Sequence, residues 1–240
     1  MTWTLPITLV AVLAAGCGDG GAGGSASDAS AGQVGSGVAG QSPEQIIERA
    51  KAALETAKSY RVDGSLSADS FAMGFHVNVS GSDLAGRIAI PGQGSLDLLE
   101  VAGQQYIRPD EELWAVTRGA AAAKNIEKAI GTGWARLSAG KNEFSELFGG
   151  FDVDQMLVAE GALSMGEPRT IADVECVSVV DGGQGGAALF VAKTGEPYPM
   201  LLQGAPGNAT LVQFSDFGKT FDIKAPADAD VVDYDKLLNR

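Results

Sequence analysis

Between Phe71 and Val79 every second residue is large and apolar: Phe71, Met73, Phe75, Val77 and Val79. The residues between them, Ala72, Gly74, His76 and Asn78, are small or polar. A period of two places the first set on one face of a β-strand. The chain must therefore build a sheet with one oily face, and something must cover it. Each of these side chains gains ~1.5–3 kcal/mol when fully buried, so the face dominates whatever packs around it.

Further strands follow at short intervals. Gly81-Ser82-Asp83 supplies a turn, and Leu84, Ile88 and Ile90 restart the pattern before Pro91-Gly92. Ser95 to Val101, Gln104 to Arg108 and Leu113 to Thr117 read as three more strands, with turns at Ala102-Gly103 and Pro109-Asp110. Strands joined by short turns pair antiparallel, because parallel pairing needs a long crossover. Later in the chain, Arg169 to Val180, Ala187 to Ala192, Met200 to Gln203, Leu211 to Phe217 and Thr220 to Ile223 carry strand patterns.

Helices supply the cover. Ser42-Pro43-Glu44-Gln45 offers a Ser cap, Pro in the first turn and Gln three residues after the cap, the reciprocal arrangement that starts a helix. Ile46, Ile47, Ala50, Leu54 and Ala57 then recur at helical spacing, giving one apolar face. Ala120 to Ile130 is Ala-rich and helix-prone, and Asn142 to Phe148 and Val153 to Glu160 read as two short helices around Gly149-Gly150. The expected architecture is an α+β chain of about eight to ten antiparallel strands with helices on the sheet's apolar face.

The N-terminus is of another kind. An apolar run from Leu5 to Leu13 ends in Ala14-Ala15-Gly16-Cys17. It is shorter than the ~20 residues of a membrane-spanning helix. Small residues before a cysteine suit a lipoprotein signal peptidase, which needs extended backbone without bulk at the scissile bond. Residues 1–16 read as a signal peptide and Cys17 as the lipidated first residue of the mature protein, although 1–16 contain no Lys or Arg. Residues 17–41, rich in Gly, Ala and Ser, read as a tether, since such a segment cannot bury enough apolar surface to offset the entropy of ordering. Residues 42–240 read as a single domain. The formal charge of −13 argues against nucleic acid as a partner and against a polybasic grip on lipid head groups. Membrane attachment then falls to the lipid at Cys17, on the extracytoplasmic side.

Catalytic chemistry finds little to use. His76 is the single histidine and falls on the polar side of its strand. Cys176 is the only cysteine besides Cys17, which excludes a disulfide framework and reads as a small buried hydrophobe. Gly161-Ala162-Leu163-Ser164-Met165-Gly166 has the wrong spacing for a nucleophile elbow. No glycine run closes as a phosphate-binding loop, and no metal-ligand spacing occurs. Asp228, Asp230, Asp233 and Asp235 read as a solvated acidic tail. Neither enzymatic activity nor a metal or cofactor is expected.

Several segments resemble the LppX/LprG-type bacterial lipoproteins, and more widely the LolA/LolB-like carriers. They are Val101-Ala102-Gly103-Gln104-Gln105-Tyr106-Ile107 followed by Trp114; Gly133-Trp134-Ala135-Arg136-Leu137; Thr194-Gly195-Glu196-Pro197-Tyr198-Pro199; and Phe214-Ser215-Asp216-Phe217-Gly218-Lys219 before Ala225-Pro226. Their order matches across roughly residues 43–235. The resemblance implies a strongly curved antiparallel half-barrel whose concave face is covered by helices. It also implies a hydrophobic cavity that binds an acylated lipid or other apolar ligand, with no catalytic residue. Phe71, Met73, Phe75, Val77, Val79, Ile88, Leu96, Leu98 and Trp114 are then the expected ligand-binding residues. Periodicity alone is satisfied equally by a packed core, and the alternative is a non-carrying envelope sensor or scaffold that uses the same fold to bind an envelope protein.

Overall fold

The computed structural model describes residues 37–68, 71–138 and 144–238. Helix α1 spans Pro43–Ala57. The Ser42 hydroxyl accepts the Gln45 N–H at 3.4 Å, and the Gln45 side-chain oxygen accepts the Ser42 N–H at 3.1 Å. The capping box therefore forms as the sequence predicts. Lys58 ends the helix in a left-handed conformation, φ 62°. Ile46, Ile47, Ala50, Ala53 and Leu54 form its buried face. Packing reaches upstream of the expected boundary at Ser42: Val38 is 1% exposed and belongs to the core.

Five strands follow as a meander: β1 Ser59–Ala68, β2 Phe71–Ser80, β3 Asp83–Ile90, β4 Gly94–Val101 and β5 Gln104–Pro109. The middle of the chain holds α2 Glu111–Arg118, α3 Ala120–Ile130, β6 Trp134–Arg136, α4 Ser145–Gly149 and α5 Val153–Met156. A second meander runs through β7 Leu163–Ile171, β8 Val174–Asp181, β9 Ala187–Ala192, β10 Pro199–Gln203 and β11 Leu211–Ser215, followed by β12 Val231–Asp233 and α6 Tyr234–Leu238. All of the strands among the described residues join one open 12-stranded sheet in the order β12-β6-β5-β4-β3-β2-β1-β11-β10-β9-β8-β7. The second meander closes back on the first where β11 pairs with β1, setting Phe214 opposite Val62. The result is a curved α+β half-barrel, its edges at β12 and β7.

Several expectations are corrected. Leu113–Thr117 is not a strand but the body of α2, because Asp110 caps it by accepting the Leu113 N–H at 2.9 Å and Glu111 and Glu112 sit at its positive end. The run from Arg169 to Val180 is two strands, β7 and β8, since Ala172 and Asp173 both take positive φ (46° and 65°) and turn the chain. Thr220 to Ile223 forms no strand. The sheet is not wholly antiparallel: β12 pairs with β6 in parallel, Val231 beside Trp134. The acidic tail is not simply solvated either. Asp233 accepts from Arg136 Nε at 3.1 Å, Asp235 accepts from Ser138, and Tyr234 and Leu237 between and beyond them are buried.

Strand parity sorts the side chains. Val62, Val77, Ile88, Leu98, Ile107, Val191 and Phe214 belong to a core cluster shared with the buried face of α1. Helix α1 lies on β1, β7, β8 and β10, α2 on β4, and α6 on β6 and β12. Cys176, Phe190 and Leu201 form a separate small cluster on the opposite face. The helices thus cover the concave face in two groups, α1 with α5 and α2 and α3 with α6.

Candidate functional site: an apolar cavity under the short helices

A cavity of about 270 Å³ lies between the concave face of the sheet and the α4–α5 segment. Its floor comes from both meanders: Leu66 of β1, Met73 and Phe75 of β2, Ile88 of β3, Leu202 of β10, and Val212 and Phe214 of β11. Its roof is Leu147 of α4, Gly150, Phe151, and Met156 of α5. Among the described residues, the exposed Glu146 is the only charged one in the lining. Pairing of β11 with β1 and of β1 with β2 is what brings residues more than a hundred positions apart onto one floor.

Two details hold the floor and roof apart. Phe75 faces Gly64 directly across the β1–β2 pair, and a Cβ at Gly64 would lie 2.7 Å from the Phe75 ring. Glycine there lets the ring lie across β1 instead of standing up into the hollow. Phe151 meets Phe75 edge-on, with ring centroids 5.5 Å apart at 70°. Aromatic pairs prefer this geometry, and it props the roof at a set height. Behind Phe151, the Tyr60 hydroxyl points at the Phe151 carbonyl oxygen at 3.5 Å, the long limit of a hydrogen bond. Burial pushes the Tyr60 phenol well above its ordinary value, and the charge of Asp152 adds to the effect. Tyr60 therefore stays a neutral donor.

The expected ligand-binding residues divide. Met73, Phe75 and Ile88 line the cavity. Val77 and Leu98 are fully buried packed core and do not line this cavity. Val79 borders a separate cleft of about 370 Å³ and mixed polarity, with Tyr60, Asp83, Glu100, Gln105 and Asp152 among its lining. Leu96 and Trp114 border a second apolar cleft of about 330 Å³. The backbone of Phe71 opens β2, while its side chain and Cys17 lie outside the described residues. Residues that sequence reasoning missed are Leu66, Leu147, Phe151, Met156, Leu202, Val212 and Phe214. The alternation Val212, Phe214 was visible in the sequence; its pairing with β1 was not.

The other candidates for chemistry sit apart from the cavity. His76 is exposed and paired with Asp63 across β1 and β2. Cys176 is 1% exposed, and burial raises its thiol above the usual range, opposite to what a nucleophile needs. Among the described residues no group of three or more His, Cys, Asp or Glu could hold a metal ion, and no helix is long and apolar enough to cross a membrane.

No protein-family model matches the chain, and no curated protein sequence matches it. Solved structures do. The lipoprotein LppX of Mycobacterium tuberculosis is 12% identical with a TM-score of 0.48, covering 76% of this chain and 98% of its own. LprF of Mycobacterium bovis is 12% identical with a TM-score of 0.47, covering 77% and 97%. An uncharacterised conserved protein of Thermus thermophilus is 13% identical with a TM-score of 0.42, covering 80% and 99%.

Proposed function

We propose that this protein is a lipoprotein, anchored through Cys17 on the extracytoplasmic side of a membrane, that binds an acyl chain of a lipid in the cavity under α4 and α5. The observation that carries the reading is the apolar hollow itself, walled by aliphatic and aromatic side chains with a single carboxylate, Glu146, among the described residues of its lining. A volume of about 270 Å³ lies just under the ~300 Å³ at which ligand pockets usually begin, which suits a hydrocarbon chain better than a bulky head group. Burying about ten methylenes yields roughly 8 kcal/mol at ~0.8 kcal/mol each. Association costs ~4–15 kcal/mol, so binding is modest, and an anchor that keeps the site beside the membrane compensates by raising the local lipid concentration.

Native mass spectrometry tests this on the full chain carrying Cys17→Ser, which has no acyl chain of its own. After incubation with a fluorescent fatty acid, one bound ligand per chain is expected, and a Met73→Trp substitution that fills the cavity should remove it. Protein that stays ligand-free under these conditions contradicts the proposal. The small volume is also the one observation favouring a second reading, a sensor or scaffold that uses the fold for an envelope protein partner. A copurifying protein that binds equally well to the filled Met73→Trp variant would support that alternative.

A further inference from the structure

Leu147 lines two hollows at once. On one side lies the cavity described above. On the other lies the apolar cleft of about 330 Å³ whose wall includes Ile90, Leu96, Leu113, Trp114 and Phe144. Both open on the same concave surface: Ile88 and Ile90 are alternate residues of β3, one in each hollow, and Leu96 stands opposite Ile88 in the β3–β4 pair. Among the described residues, Leu147 is the one the two linings share; it sits on α4, a five-residue helix with no side-chain cap at its N-terminus. The second chamber is well built. Trp114 stacks on Tyr234 with centroids 6.2 Å apart, and Phe144 meets Tyr234 edge-on at 5.4 Å. The Trp114 indole N–H, although buried, has no acceptor among the described residues. Among the described residues, Glu146 borders the first chamber and Arg118, which donates to the Tyr234 hydroxyl at 3.3 Å, borders the second.

We infer that Leu147 is a specificity-determining residue that sorts ligands by chain number: a two-chain lipid straddles it, with one chain in each chamber. This rests on the lipid-binding reading above. One chamber falls just below and the other just above the ~300 Å³ lower limit of ligand pockets, and together they lie well within the usual range of ~300–1,000 Å³. A single-chain lipid fills half of this apolar surface and leaves the other half wet. A two-chain lipid covers both at the cost of one association event.

The test uses the full chain carrying Cys17→Ser, with Trp3 and Trp134 changed to Phe so that Trp114 is the sole indole emitter. The probes are phosphatidylcholine and lysophosphatidylcholine with brominated acyl chains, which quench tryptophan on contact. Bound phosphatidylcholine is expected to quench Trp114. Thr117→Phe, at an exposed position on the wall of the second chamber, should lower phosphatidylcholine uptake at least about tenfold, the worth of about two buried methylenes, and leave lysophosphatidylcholine uptake unchanged. Leu147→Ala should narrow the preference for phosphatidylcholine over lysophosphatidylcholine, because one chain can then run through both chambers; an unchanged preference overturns the role given to Leu147. Phosphatidylcholine that binds with Trp114 unquenched, or Thr117→Phe weakening both lipids equally, overturns the inference while lipid binding stands. Uptake of neither lipid overturns both.

Discussion

Val77 and Met73 stand four residues apart on the same face of β2, yet the structure gives them opposite surroundings. Val77 is 0% exposed in the packed core, whereas Met73 is part-buried on the wall of a hollow of about 270 Å³. Tryptophan at each position therefore separates core from cavity. At Val77 the indole has no space: a Cβ on neighbouring Gly86 would already lie 2.6 Å from Val77 Cγ2. Overpacking of that kind costs ~1–3 kcal/mol, and more where the backbone has to move. At Met73 the indole extends into empty volume and replaces a flexible apolar side chain with a larger apolar one, so the expected cost is under ~1 kcal/mol. Urea unfolding of both variants reads the difference as a shift in midpoint at unchanged slope, and ligand uptake is measured on the same samples. Val77→Trp should lose stability, and Met73→Trp should keep stability but lose the ligand. A Met73→Trp variant as unstable as Val77→Trp would show that the hollow closes up around side chains, and the argument for a binding cavity would fail with it.

Three further outcomes follow from particular contacts. Gly64→Ala brings a Cβ to 2.5 Å from the Leu211 carbonyl oxygen and 2.7 Å from the Phe75 ring, so thermal unfolding should show a loss of ~1–3 kcal/mol. For Asp110, burial alone would raise the carboxyl, but hydrogen bonds from the Leu113 N–H and from the Ser95 hydroxyl and N–H outweigh it and lower the pKa. A lowered folded-state pKa means that its stabilisation is present above the unfolded value of ~3.9 and is lost as pH falls through the folded one. Asp110→Asn should therefore flatten the stability profile below pH ~4, and an unchanged acid slope would refute the assignment. Cys176, with its thiol buried and raised in pKa, should resist a thiol-labelling reagent in the folded chain and react fully in urea; labelling at equal rates in both states would contradict its placement.

The local signals in the sequence proved reliable where one short segment decides the outcome. Ser42 and Gln45 start α1 as their spacing predicts, α3 covers Ala120–Ile130 as expected, and the β2 alternation turns Met73 and Phe75 to the concave face. Where two signals compete locally, the weaker-looking one won. Leu113, Val116 and Thr117 favour a strand, but Asp110 with Glu111 and Glu112 behind it begins a helix. The turn at Ala172-Asp173 lacks the Asn-Gly or Asp-Gly pair that marks such hairpins, so two strands read as one. Pairings between distant segments leave no local trace. The contact of β11 with β1, which supplies Val212 and Phe214 to the cavity floor, and the parallel pair of β12 with β6 both depend on the whole sheet forming. For the same reason period-two alternation revealed an apolar face but not its division. Whether Val77 or Met73 meets a neighbour or a void is set by where α4 and α5 land above it.

Photolabelling with a diazirine-bearing fatty acid, followed by peptide mapping, tests the central claim most directly. The account predicts labels on the segments of β2, β11 and the α4–α5 roof that carry Met73, Phe75, Phe151 and Phe214, and their disappearance in the Met73→Trp variant. Labels confined to the outer-face cluster of Cys176, Phe190 and Leu201, or spread alike over wild-type and Met73→Trp protein, would contradict it.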